Sequence, residues 1–289
     1  MPVTTTRRWV RRITRGAHDA AQPSRVADRR TDDVVVEQPL SLALQTPQGA
    51  QVLVTTMRTP GHDLELAAGW LVSETGIRDR ASISAMGLFT ADRDAVPDDD
   101  SVDPVDTVRI ALADNVSPPI ARGFMTTSSC GVCSAAALPN MHHSEVLGQT
   151  PTFTVNVGTL FTLVDHLTQQ QPVFQRTGGV HAAALATPDG QILMTREDIG
   201  RHNAADKVIG WALLEHQLPL TDHLLVMSSR ISYEIVQKAL QAGCAGIVAV
   251  SAASSLAIDV AREHGLFLAG MVRPGSANVY AREDLLLVD

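Results

Sequence analysis

No stretch of this sequence reaches the roughly 18 consecutive apolar residues that a membrane-spanning helix requires, so no membrane span is expected. Positive charge is not in excess either. Lys and Arg number 23 against 31 Asp and Glu, a formal net charge of −8, and that balance gives no global argument for a nucleic-acid partner. Cysteine is scarce, with three residues: Cys130, Cys133 and Cys244. An odd count without a recognisable secretion signal argues against a disulfide framework and for a reducing, cytoplasmic setting. A twin-arginine export signal is also missing. Arg7-Arg8 is followed by Arg11, Arg12 and Arg15 instead of an apolar stretch and a small-residue cleavage site.

What is present suffices for a sizeable core: 289 residues, 45% of them hydrophobic. Three parts are expected. Residues 1–30 form a basic arm, expected to be disordered. Residues 31–150 form a smaller N-terminal α+β portion, and residues 151–289 an α/β domain. In the second part, Val34–Leu44 and Gln51–Met57 flank Thr46-Pro47-Gln48-Gly49 as a β-hairpin. Asp63 is placed as N-cap of a helix with apolar positions Leu64, Ala67, Ala68, Leu71 and Val72. Ile83–Phe89 and Val105–Ala113 are expected strands around the acidic Asp92–Asp103 loop.

In the third part, Phe153–His166 is expected to hold a short strand and a helix. Val180–Ala186 and Gln191–Thr195 form a hairpin, and Asn203 caps a helix carrying Val208, Ile209, Ala212 and Leu213. The last stretch alternates strand and helix: Leu224–Met227, Tyr233–Ala242, Gly246–Val250, Leu256–His264, Leu266–Val272. Such a rhythm implies βαβ units and a parallel sheet.

Chemistry concentrates in four places. Cys130-Gly131-Val132-Cys133 is expected in a loop entering a helix, where unsatisfied N–H groups favour thiolates. It could exchange disulfides, supply half a zinc site, or carry a persulfide with the second cysteine assisting. The bland alternative is two buried, inert cysteines, which the polar Ser128, Ser129 and Ser134 disfavour. Zinc would need further ligands. His181 is a candidate third, and Cys244 resembles a small core residue. His181-Ala182-Ala183 has alanine where a zinc deaminase needs its catalytic Glu, so no zinc is expected.

The second place is Arg196-Glu197-Asp198-Ile199-Gly200-Arg201-His202-Asn203, continuing to Asp206 and Lys207. It is dense enough in ionisable groups to be functional, although an ion-paired helix cap is the competing reading. The third comprises Ser228-Ser229-Arg230 and Ser251-Ala252-Ala253-Ser254-Ser255, hydroxyl-rich junctions after successive strands. The fourth is the Met271-Val272-Arg273-Pro274-Gly275-Ser276 turn. Strand ends of this kind suit phosphates, so a nucleotide-sized anion is expected there.

Taken in order, Ser129–Cys133, Thr177–Ala183, Glu197–Lys207, Ser228-Ser229-Arg230 and Arg273-Pro274-Gly275 resemble the FdhD family of formate dehydrogenase accessory sulfurtransferases. The likeness runs from about Asp32 to the C-terminus. It implies a cytidine-deaminase-like mixed sheet with flanking helices, without the zinc chemistry. It implies a homodimer that receives persulfide sulfur from a cysteine desulfurase and passes it to the molybdenum bis(molybdopterin guanine dinucleotide) cofactor of formate dehydrogenase. GDP would be a partial mimic of that cofactor. By motif, Cys130 is the persulfide carrier, Cys133 its helper, and Met271, Val272, Arg273, Pro274, Gly275 and Ser276 the cofactor-binding stretch. Pro274 and Ser276 depart from the polar residues of some members. The competing class is a non-catalytic, cofactor-binding chaperone of the dehydrogenase.

Overall fold

The computed structural model describes residues 2–14, 25–91, 105–119, 125–126 and 153–288. Cys130, Cys133 and the acidic 92–103 loop lie outside the described residues. In chain order the elements are β1 (Thr5–Thr14), β2 (Arg25–Val35), β3 (Gln38–Thr46), β4 (Gly49–Arg58), α1 (Asp63–Thr75), β5 (Ile83–Phe89), β6 (Asp106–Leu112) and β7 (Met125–Thr126). There follow β8 (Val155–Asn156), α2 (Val157–Gln169), α3 (Pro172–Thr177), β9 (His181–Ala186), β10 (Ile192–Asp198) and α4 (Arg201–Leu214). The chain closes with β11 (Leu224–Met227), α5 (Tyr233–Gln241), β12 (Gly246–Ala249), α6 (Ser255–Glu263), β13 (Phe267–Arg273), β14 (Ser276–Ala281) and β15 (Leu286–Leu287).

The central element is a six-stranded sheet in the order β10-β9-β11-β12-β13-β14. Every residue of β11 and β12 is buried, as expected for short aliphatic strands covered on both faces. Period-two alternation divides their side chains between two cores. Ala182, Ala184, Val226, Val248 and Phe267 pack with Leu160, Leu163 and Leu167 of α2. Ala183, Leu185, Leu225, Ile247 and Leu268 face Val208, Ile209, Ile235, Val236 and Ala261 of α4, α5 and α6.

The fold is therefore mixed α/β, as expected, but the sheet is not wholly parallel. The strands β11, β12 and β13 run parallel, whereas β9, β10 and β14 pair antiparallel. The antiparallel outer strands follow from hairpins. The β9–β10 turn contains Gly190 (φ +95), and Pro274-Gly275 with Gly275 at φ +79 has the type II turn pattern joining β13 to β14. The strand β14 was not anticipated from the sequence.

The N-terminal portion adds the five-stranded sheet β5-β6-β3-β4-β7. Among the described residues it has no separate core. Leu40, Leu42, Val108 and Ile110 belong to the same buried cluster as α4 and α5, with α1 between. The helices α1 and α4 cross backbone to backbone. A Cβ on Gly69 would lie 1.8 Å from the Asp206 carbonyl oxygen, and one on Gly210 would lie 1.7 Å from that of Glu65.

Three local expectations are corrected. The N-cap of α1 is His62, and Asp63 is instead the first helical residue, its carboxylate taken by the Arg58 guanidinium at 2.8 Å. The helix α4 begins at Arg201 with Gly200 as N-cap, so Asn203 lies inside it. Its amide donates to the Met57 carbonyl at 2.8 Å and to Asp198 at 3.1 Å, which holds the chain in helix earlier than a cap at Asn203 would. The arm differs as well: β1 and β2 form an antiparallel ribbon. Opposed Arg7–Asp33 and Arg8–Asp32 positions offset the charge that reads as disorder.

Candidate anion-binding edge

The carboxyl ends of β11, β12 and β13 lie on one edge of the sheet. Because β9 and β10 form a hairpin, the start of β9 and the end of β10 reach the same edge, with His181 opposite Asp198. Across it, in strand order, stand Arg201-His202 at the start of α4, His181, Ser228-Ser229-Arg230, Val250-Ser251 and the Met271–Ser276 hairpin.

Much of the Glu197–Lys207 segment builds the fold. Asp198 is fully buried. Its carboxylate accepts from Gly200 N–H at 2.8 Å and Thr59 N–H at 3.1 Å and pairs with Lys207 Nζ at 2.7 Å. Lys207 also donates to the carbonyls of Thr59 and Glu197, tying α4 to the loop after β4. Glu197 accepts from Val173 and Phe174 N–H at the start of α3, and its pKa is raised by burial against those bonds. Asp206 pairs with Lys238 of α5 at 2.9 Å and accepts from Ser73 Oγ at 2.7 Å. Although burial opposes the Lys238 charge, the Asp206 and Glu74 carboxylates raise its pKa.

Arg201 and His202 are different. They open a helix of 14 residues that has no side-chain cap, and Arg201 Nε and His202 Nε2 are buried without a hydrogen-bond partner among the described residues. Burial, with Lys238 and Arg201 nearby, lowers the His202 pKa to about 3 against the influence of Glu234. The imidazole is therefore neutral near pH 7. His181 is lowered too, first by burial and then by Arg201 and Arg230.

Of the hydroxyls expected to hold a phosphate, those of Ser228, Ser229 and Ser254 are engaged elsewhere. Ser228 Oγ accepts from Ala182 N–H at 2.8 Å, Ser229 Oγ donates to the Arg230 carbonyl at 3.1 Å, and Ser254 Oγ caps α6 through Ala257 N–H at 3.3 Å. The Met271–Ser276 stretch forms the exposed β13–β14 hairpin, apart from buried Val272. Arg273 Nη1 donates to the carbonyls of Val250 and Val272. Met271 has φ +54, a costly conformation for a residue other than glycine, and its N–H donates to the Ser251 carbonyl at 3.1 Å. A Cβ on Gly270 would meet that oxygen at 2.7 Å, so only glycine fits against the Ser251 loop. The hairpin is thus pinned, with Met271 40% exposed beside it.

Cys244 is buried and free, and burial pushes its thiol up to about 12, which makes it a core residue and a poor nucleophile or ligand. A cavity of about 710 Å³ lies elsewhere, between the β1–β2 ribbon and the N-terminal sheet. Pro2, Val3, Val35, Pro60 and Leu88 are among the residues lining it. It adjoins the paired Arg58, Asp63 and Asp106 and does not reach the strand edge.

Fold and edge together define a mixed α/β protein with a cation-lined strand edge suited to an anionic ligand. The chain belongs to the FdhD/NarQ family, whose model matches residues 35–287. It is 44% identical over 258 residues to the sulfur carrier protein FdhD of Corynebacterium efficiens, covering 88% of this chain and 91% of that one. The protein of the same name in Mycobacterium tuberculosis is 42% identical over 262 residues, 87% and 94% of the two chains. That of Sulfurisphaera tokodaii is 36% identical over 256 residues, 89% and 92%. The crystal structure of a candidate formate dehydrogenase accessory protein from Desulfotalea psychrophila superposes with a TM-score of 0.69. It covers 99% of this chain and 100% of its own at 19% identity, a likeness of fold.

Sequence reasoning assigned Arg201 and His202 to a charged cluster but to no ligand. One signal was available. Helix starts favour acidic side chains, so an arginine there that pairs with no carboxylate among the described residues calls for a compensating anion.

Proposed function

We propose that this protein is a sulfurtransferase that carries sulfur for the maturation of a formate dehydrogenase. One observation carries the reading. The family match over residues 35–287 spans both the Cys-Gly-Val-Cys loop and the Met271–Ser276 hairpin, and the relatives are named sulfur carrier proteins.

In this reading the Cys130 thiolate attacks the terminal sulfur of a persulfide on a cysteine desulfurase. The sulfur–sulfur bond of the donor breaks, the donor leaves as a thiolate, and Cys130 holds the new persulfide. For delivery, Cys133 attacks the inner sulfur. The outer sulfur departs as hydrosulfide towards molybdenum bis(molybdopterin guanine dinucleotide), the substrate, and a Cys130–Cys133 disulfide remains for an external dithiol to reduce. Met271, Arg273 and Ser276 present side chains to the substrate. Buried Val272, with Pro274 and Gly275, shapes the backbone of the turn. The protein works in the cytoplasm as a homodimer and needs no zinc.

Intact-mass analysis after incubation with a cysteine desulfurase and cysteine tests the carrier role. The expected result is a gain of one sulfur atom in the wild type, none in Cys130→Ala, and loss of dehydrogenase maturation by that variant. A Cys130→Ala protein that matures the enzyme at the normal rate overturns the role and leaves a cofactor-binding chaperone.

A further inference from the structure

The β1–β2 ribbon is a two-stranded sheet of its own, and it concentrates positive charge. Its strands hold seven arginines and three aspartates, a surplus of four. The whole chain has a formal net charge of −8, so everything outside the ribbon carries −12. From Thr5 to Arg11 the register against Val35 to Arg29 is regular, and alternation puts Arg7, Trp9, Arg11, Arg29, Thr31 and Asp33 on one face. At the base of that face Asp33 meets Arg7 at 3.6 Å and Arg176 of α3 at 3.3 Å. Farther out the balance is lost. Arg11 stands directly opposite Arg29, both are exposed, and among the described residues neither has a carboxylate within 4.0 Å. Like charges directly opposite across a strand pair are destabilising. Trp9, the next residue inward on the same face, is 69% exposed. A two-stranded ribbon is marginal in water by itself, and this face adds repulsion and a large exposed ring. A partner that brings carboxylates relieves both.

We propose that Trp9, Arg11 and Arg29 form a docking face for an acidic surface of a partner protein. Tryptophan and arginine dominate the binding energy of protein interfaces, the ring through the area it buries and the guanidinium through paired hydrogen bonds to a carboxylate. The opposite face of the ribbon is less available. There Arg30 pairs with Asp32 at 3.8 Å, and Arg8 donates to Thr6 Oγ1 at 3.1 Å. Charge also selects the class of partner. A nucleic acid or an anionic bilayer spreads its charge over more than the ribbon and sets it against the −12 of the remaining chain. Single-stranded nucleic acid is gripped on successive aromatic rings, and Trp9 is the only aromatic residue of β1 and β2. A cluster of a few carboxylates on a protein matches the face without that conflict. The docking face goes beyond the sulfur-carrier reading and does not depend on it.

The test is fluorescence anisotropy of a labelled decaglutamate peptide titrated with the full chain at low salt. Two double variants remove the same charge from opposite faces: Arg11→Gln with Arg29→Gln, and Arg8→Gln with Arg30→Gln. All four side chains are exposed, so both proteins should fold. The wild type should bind the peptide, and the Arg11, Arg29 variant should lose about tenfold in affinity, as for two exposed ion pairs. The Arg8, Arg30 variant should lose less than about threefold, the share of diffuse attraction alone. Peptide binding should also change the tryptophan emission of the wild type, and Trp9→Phe should abolish that change. Equal losses in the two double variants overturn the docking face, because the attraction is then diffuse. A wild type that does not bind, or an emission change that survives Trp9→Phe, overturns it as well. An oligothymidylate of equal length or phosphatidylserine vesicles, bound more tightly than the peptide and through the same three residues, would overturn the protein as partner.

Discussion

The interior of this molecule and its strand edge use the same residue types to opposite ends. Inside, Asp198–Lys207, Asp206–Lys238 and Arg58 with Asp63 and Asp106 are closed sets in which each charge meets its opposite. On the edge, Arg201 and His202, from the same stretch of chain as Asp198 and Lys207, hold buried nitrogen atoms that nothing in the described protein satisfies. The contrast separates architecture from ligand reception. A buried pair is complete in the folded chain, whereas an unmatched buried donor awaits something from outside.

The largest expected effect lies in the interior. Lys207→Ala strands the fully buried Asp198 carboxylate and should cost about 3–5 kcal/mol in denaturant unfolding. The double variant Asp198→Asn, Lys207→Met should recover part of that. A single variant as stable as wild type would break the comparison at its first term. Next is the crossing on which the network rests. Gly210→Ala puts a Cβ against the Glu65 carbonyl, and about 1–3 kcal/mol should be lost as α1 and α4 separate. An unchanged melting temperature would mean the helices do not approach as described.

A smaller effect comes from acid. Unfolded, His202 takes up a proton below its ordinary value of 6.5, whereas folded it stays neutral down to about 3. Its contribution is therefore complete above pH 6.5 and is lost as pH falls from 6.5 towards 3. By pH 5.5 the loss is about 1 kcal/mol. Unfolding curves for wild type and His202→Gln should converge over that range, and parallel curves would show that the imidazole is not buried neutral. The smallest effect is on the edge itself. Arg230→Ala should change unfolding free energy by less than about 0.5 kcal/mol, because the side chain is exposed and, among the described residues, pairs with no carboxylate. A larger loss would make Arg230 architectural and weaken the distinction between the regions.

How much of this was legible depended on the range of the forces involved. The strand–helix rhythm from Leu224 to Val272 shows in the sequence because each element buries a contiguous aliphatic run or stripe, and local periodicity records that directly. The Glu197–Lys207 segment declared itself as a cluster for a similar reason. Its division of labour did not, since Thr59, Ser73 and Lys238, which satisfy part of it, are far away along the chain. The expected caps at Asp63 and Asn203 failed on the same ground. Both side chains fit the local signal, but Arg58 and Met57 offered tertiary partners.

By itself the sequence determined the parallel centre of the sheet, the amphipathic helices around it, the core character of Cys244 and the motifs that mark the family. These depend on residue type and short-range period. Only the tertiary structure decided that the β9–β10 hairpin brings His181 and the start of α4 to the edge where β11, β12 and β13 end. Only it showed that Ser228, Ser229, Ser254 and Arg273 there are engaged, while among the described residues Arg201 and His202 keep unmatched nitrogens. Satisfaction of a polar group is a property of everything that surrounds it in space, and no local pattern carries that information.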